Sequence, residues 1–177
     1  FKGEPLINWS IKAAINSNCF DRIIVSTDDD EIASISKKLG AEVPFKRPSE
    51  ITDDFANTLD VMKHCLSWLE DSGCVVDKAC CLYATAPLII QSDILKGKLL
   101  LDKSKEDVVV FTATSFPFPI QRAIYIDNNG YSKMFEPKYF KTRSQDLVDS
   151  YHDAGQFYWA SRLLWSRIDN LFEKAKP

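Results

Sequence analysis

The sequence lacks the features that mark several functional classes. It has no CxxC pair. Its five cysteines, Cys19, Cys65, Cys74, Cys80 and Cys81, are odd in number, and two are adjacent in an apolar run. Neither a disulfide framework nor a zinc knot is expected, and they read as small core residues of a reducing cytoplasm. Positive charge is not in excess: 22 Lys+Arg against 25 Asp+Glu give a net charge of −3. That offers no general field for nucleic acid or an anionic membrane, and leaves room for a local basic pocket. No apolar run reaches the ~20 residues a bilayer demands, and no signal peptide is read. Repeats and low-complexity segments are missing too. What remains is an ordinary globular composition, 45% hydrophobic and 27% charged over 177 residues, enough for one domain with a real core. A soluble, cytoplasmic domain is expected.

Periodicity and punctuation give strands alternating with helices. Pro5 suits a first helical turn, and Leu6, Trp9, Ile11, Ala14 and Ile15 form an apolar stripe behind it. Residues 22–26 form a β-branched run that predicts a strand. Asp28, Asp29 and Asp30 can cap a helix over 31–39, which Gly40 ends. An extended piece at 42–44 and a loop at 49–57 lead to a helix beginning at Asn57 or Thr58. A strand at 79–83 stops at Ala84-Thr85-Ala86-Pro87, Ser92-Asp93 caps a helix at 94–101, and 108–111 is a further strand. A hairpin follows at 123–126 and 131–135, around a Gly130 turn. A strand at 156–160 and a helix at 162–172 complete the pattern. The four tryptophans, Trp9, Trp68, Trp159 and Trp165, read as core or interface. The fold expected is α/β with a mainly parallel sheet and a late antiparallel excursion, with 1–177 as one domain.

Several polar groups stand out. Ser26-Thr27-Asp28-Asp29-Asp30 lies at a strand's carboxyl end, where open α/β sheets bind ligands, although helix capping explains it. Arg47, fixed by Pro48, can offer a planar fork to a base carbonyl. Thr58 at a helix start adds a hydroxyl beside free N–H groups. A surface loop with a capped helix would explain that pair equally well. His64, alone on a helix, reads as a core histidine. The densest cluster is Arg143, Gln145, Asp146, His152 and Asp153, just ahead of an apolar strand. Recognition of a polar, charged small molecule explains it better than a salt-bridged loop does, and a sugar acid with a phosphate donor would suit it.

Taken in order, residues 24–29, 40–45, Arg47-Pro48, Ala56 with Thr58, 83–88 and 143–146 resemble the acylneuraminate (CMP-sialic acid synthetase-like) cytidylyltransferase family. Within it, residues 81–87 and 151–155 look most like the pseudaminic acid cytidylyltransferase branch. Tyr83, Ile89 and Asp153-Ala154-Gly155 stand where the sialic acid enzymes carry Gln, Arg and Asn-Gly. CMP-legionaminate and CMP-sialate synthetases are the alternatives, as is a non-catalytic nucleotide- or sugar-binding remnant.

The resemblance implies a Rossmann-like nucleotidyltransferase fold and a homodimer assembled partly through the late excursion. It implies that CTP and a nonulosonic acid give a CMP-sugar and pyrophosphate, with Mg²⁺ neutralising the growing charge. By the same resemblance, Arg47, Ala56 and Thr58 look like the nucleotide-reading group. Tyr83, Thr85, Arg143, Gln145, His152 and Asp153 look like sugar contacts, Arg143 facing the carboxylate. The family's N-terminal phosphate loop and C-terminal acidic segment are not found in these residues. No metal ligand is therefore assigned, and this stretch by itself is expected to be able to lack activity.

Overall fold

The computed structural model describes residues 1–52 and 57–177. Its helices are α1 (Leu6–Ser17), α2 (Asp30–Lys38), α3 (Thr58–Asp71), α4 (Gln91–Lys103) and α5 (Arg162–Arg167). Its strands are β1 (Lys78–Leu82), β2 (Val109–Ser115), β3 (Ile124–Ile126), β4 (Ser132–Met134), β5 (Tyr151–Ser161) and β6 (Ala175–Lys176). The chain divides into two compact units, residues 1–112 with 155–177, and residues 113–154.

The first unit is organised by alternation along its strands, since successive side chains point to opposite faces. Phe157 and Trp159 pack on one face with Val108 and Val110, against Ala13 of α1 and Ile94 and Leu101 of α4. Tyr158 and Ala160 pack on the other with Val109, against Leu59 and Leu66 of α3 and Leu164 and Trp165 of α5. The sheet is thus covered by helices on both sides, which is why its strands are continuously apolar. The two buried indoles also satisfy their N–H groups, Trp159 Nε1 on the Ile94 carbonyl and Trp165 Nε1 on that of Ala79, each at 3.1 Å. Helix α4 approaches the sheet closely because residue 97 has no side chain. A Cβ there would fall 2.7 Å from Phe157 Cε2.

The four-stranded sheet has the order β1-β5-β2-β6. It is mixed: β1 pairs antiparallel with β5, and β2 parallel with β6. The 22–26 run forms one parallel bridge, Ile24 to Glu42, closed by Val25 N–H on Glu42 O (2.9 Å) and Glu42 N–H on Ile23 O (2.7 Å). Arg22 and Glu42 clamp that bridge with two side-chain hydrogen bonds, of 3.0 and 2.6 Å.

Several predicted boundaries move. Helix α2 begins as expected, with the Asp29 side chain accepting from Ile32 N–H, and Gly40 follows at φ +95°. Helix α4 starts at Gln91 with no side-chain cap, and Asp93 pairs instead with Lys96 at 3.0 Å. Helix α5 stops at Arg167, because buried Ile168 turns extended to join the cluster around Leu164 and Trp165. Strand β5 starts at Tyr151, five residues before the predicted strand, so His152 and Asp153 sit on a strand.

The second unit contains the predicted hairpin. β3 and β4 pair antiparallel with Tyr125 opposite Lys133. Asp127 Oδ1 accepts from Asn129 and Tyr131 N–H at 2.9 and 3.0 Å, and Gly130 takes φ +84°. The neighbouring Lys133 ammonium, helped by the Tyr131 N–H, holds the Asp127 carboxyl below its usual range.

Candidate functional site

The first unit holds a cavity of about 330 Å³ bounded by α1, the 23–26 segment, the start of α3 and the end of β1. Its lining is graded. Ile11, Ala14, Ile24, Met62, Cys65 and Cys80 make it apolar, whereas Ser26, Arg47, Asn57, Thr58 and Tyr83 bring polar groups to the carboxyl ends of its strand segments. That is where an α/β sheet places ligands, because side chains and free N–H groups gather there without interrupting a ladder.

Each polar residue is held by local structure. The Arg47 backbone N–H donates to Thr27 O (2.9 Å), its Nε to Ser26 Oγ (3.1 Å), and its Nη2 to the Ser26 carbonyl. Asn57 caps α3 by accepting from Asp60 N–H at 3.0 Å. The cap is therefore made by its neighbour, and the Thr58 hydroxyl, on the first helical residue, turns to the Tyr83 phenol at 2.7 Å. Tyr83 in turn is anchored by its N–H on Gln156 O (2.9 Å), by its carbonyl accepting from Ser10 Oγ (2.7 Å), and by its ring against that of buried Tyr158.

The cavity's thiols are not nucleophiles. Burial pushes Cys65 up to about 11 and Cys81 up to about 12, and raises Cys80 well above its ordinary value. A thiol reacts as its thiolate, so at neutral pH these side chains serve as apolar lining. All five cysteines are free.

The structure therefore gathers three of the expected site residues, Arg47, Thr58 and Tyr83, around one cavity. Ala56 lies outside the described residues. Thr85 is exposed on the turn after β1. The remaining four belong to the second unit. There Arg143 pairs with Asp146 through Nε (2.8 Å) and Nη2 (3.3 Å), and Gln145 is exposed beside it. His152 lies tilted over Phe116, with ring centroids 4.7 Å apart, its Nδ1 2.9 Å from the Asp153 carbonyl. Sequence reasoning passed over Ser26 and Ser10. Ser26 carried a signal, its place at a strand's carboxyl end, which helix capping by the following Asp residues seemed to absorb. Ser10 carried none, since a serine in an apolar helical stripe reads as packing.

Among the described residues, no group of three or more His, Cys, Asp or Glu side chains is placed to hold a metal ion. No described helix is long and apolar enough to cross a membrane.

Comparison with known proteins gives the geometry its context. Two pseudaminic acid cytidylyltransferases of Campylobacter jejuni are 43% and 42% identical over 176 residues. These matches cover 98% of this chain and 74% of each relative. Among solved structures, a CMP:2-keto-3-deoxy-manno-octonic acid synthetase complexed with CTP superposes with a TM-score of 0.65 at 14% identity. It is matched over 93% of this chain and 66% of its own, and shows a shared α/β nucleotidyltransferase fold. The sequence profile of the family described as Cytidylyltransferase matches residues 1–165. By that match and by its relatives, the chain belongs to the cytidylyltransferase family.

Proposed function

We propose that the protein joins CTP to a nonulosonic acid, pseudaminic acid first among them, giving the CMP-sugar and pyrophosphate. The observation that carries this reading is the meeting of Arg47, Thr58 and Tyr83 at one cavity of a cytidylyltransferase fold. The relatives at 42–43% identity, named as pseudaminic acid cytidylyltransferases, support the choice of sugar. In the reaction the sugar's anomeric oxygen bonds to the α-phosphorus, the bond from the α-phosphorus to the bridging oxygen breaks, pyrophosphate leaves with that oxygen, and the hydroxyl proton passes to solvent. The protein's part is to position and to stabilise charge.

Arg47 and Thr58 are proposed to read the O2/N3 edge of cytosine, with Ala56 leaving room for the ring. Tyr83, Thr85, Arg143, Gln145, His152 and Asp153 are proposed as sugar contacts. Mg²⁺ is proposed only as a companion of the triphosphate. The described residues offer it no cage, and no step is derived through it. The five free thiols support a cytoplasmic site for the reaction.

A homodimer is also proposed. The second unit exposes a large share of its apolar side chains, including Tyr131 (71%), Phe135 (65%), Phe140 (69%) and Val148 (80%). Exposed apolar side chains in such number are a surface that association can bury. Sedimentation of the protein and of Phe140→Glu tests this, the substitution being expected to yield monomer.

Pyrophosphate release with CTP and each of pseudaminic, legionaminic and N-acetylneuraminic acids tests the reaction. The fastest turnover is expected with pseudaminic acid. Turnover with another sugar alone moves the substrate. CTP binding without turnover favours the non-catalytic remnant.

A further inference from the structure

Tyr83 follows β1 with little freedom. Its backbone is tied on both sides, to Gln156 and to Ser10. Its ring leans on Tyr158, which is 2% exposed, with centroids 5.5 Å apart. A phenol on so fixed a base cannot swing to follow a ligand. Its hydroxyl is already committed, 2.7 Å from Thr58 Oγ1.

We propose that Tyr83 is a positioning residue for base specificity: its phenol fixes the Thr58 hydroxyl as a hydrogen-bond donor toward a pyrimidine acceptor. This rests on the cytidylyltransferase reading of the cavity. A phenolic O–H is more acidic than an aliphatic hydroxyl and so is the better donor. In the proposed arrangement Tyr83 donates and Thr58 accepts across their 2.7 Å contact, so Thr58 keeps its own hydrogen for the cavity. A hydroxyl whose partner donates to it is also polarised into a stronger donor.

The consequence is selectivity. A free threonine hydroxyl rotates to give or to take a hydrogen bond, and so tolerates either kind of base edge. Cytosine presents acceptors at O2 and N3, whereas uracil carries a hydrogen on N3. A Thr58 held as a donor to N3 matches cytosine and opposes uracil, whereas O2 accepts in both bases. Asn57 makes this possible by taking over the α3 cap, which leaves the Thr58 side chain free for Tyr83. Tyr83 would then serve the nucleotide through Thr58 rather than the sugar directly.

The test is a calorimetric titration of CTP and of UTP into the wild type, Tyr83→Phe, Thr58→Val and the double variant, with melting temperatures alongside. Tyr83→Phe keeps the ring and its packing. It is expected to lower the CTP-over-UTP preference by about tenfold, equivalent to about 1.4 kcal/mol. It should have no further effect on the Thr58→Val background. An unchanged preference in Tyr83→Phe, or an effect confined to melting temperature, overturns the assignment and leaves the cytidylyltransferase reading standing. Additive effects in the double variant do the same. A wild type that binds neither nucleotide overturns both.

Discussion

Arg47 turns back on Ser26, placing its Nε 3.1 Å from the Ser26 hydroxyl and its Nη2 on the Ser26 carbonyl. Two of the guanidinium's nitrogens are thus engaged at the end of the 23–26 segment, and the side chain is aimed before any ligand arrives. Preorganisation of this kind lowers the ordering cost of binding.

Arg47→Ala is expected to weaken CTP binding more than sugar binding. Loss of one charge-assisted contact should cost about 1.5–3 kcal/mol. Separate titrations of the two substrates check this. Equal losses for both would assign Arg47 to bracing the strand end, through its N–H on Thr27.

His152→Ala should raise the sugar KM and leave folding intact. The ring is exposed and rests on Phe116 alone among aromatic neighbours in the described residues, so its removal opens no core cavity. Circular dichroism and steady-state kinetics together decide. An unfolded variant would mark the ring as packing.

Gly97→Ala should destabilise the first unit despite alanine's better helix propensity. The new methyl would lie 2.7 Å from Phe157 Cε2 and 3.0 Å from Trp159 Cδ1, both on rings that are 2% exposed. The propensity gain is about 1 kcal/mol, against about 1–3 kcal/mol for overpacking. A lower urea midpoint at unchanged slope is expected, and a higher midpoint would mean that the rings can yield.

Acid should loosen the bridge at Ile24. The hydrogen bonds from Arg22 hold the Glu42 carboxyl below its ordinary 4.5, and those from Lys78 chiefly hold Asp102 below 3.8. A carboxyl lowered by folding binds fewer protons in the native state. Its contribution is therefore full above the ordinary value and is lost as pH falls through the lowered one. Both pairs are partly solvated, so each contributes about 1 kcal/mol or less. Urea midpoints of wild type and Glu42→Gln should differ at pH 6 and converge as pH falls below 4.5.

Much of the fold was legible because local chemistry and packing agree. Asp29, Gly40 and Asn57 cap and close helices where the sequence places them, and the Asp127–Gly130 turn closes its hairpin. What was hidden depended on partners distant in sequence. The 22–26 run has the composition of a strand, yet pairing is a property of neighbours, and among the described residues it forms only the bridge to Glu42. Likewise, residue type alone made Tyr83 a candidate ligand contact, whereas only the fold shows its hydroxyl engaged by Thr58, 25 residues earlier.

Strand β1 ends the sheet order, with β5 on one flank and the cavity bordering Cys80 to Tyr83 on the other. That cavity exists only where α1, the 23–26 segment, α3 and β1 are assembled, so a ligand seated in it binds the folded chain alone. Occupancy and thermal resistance are therefore coupled. A compound that lodges there should raise the melting temperature in a concentration-dependent way, by about 2.7 kcal/mol of stability at a hundred times its Kd. A thermal-shift screen thus becomes a direct route to the ligands this cavity accepts.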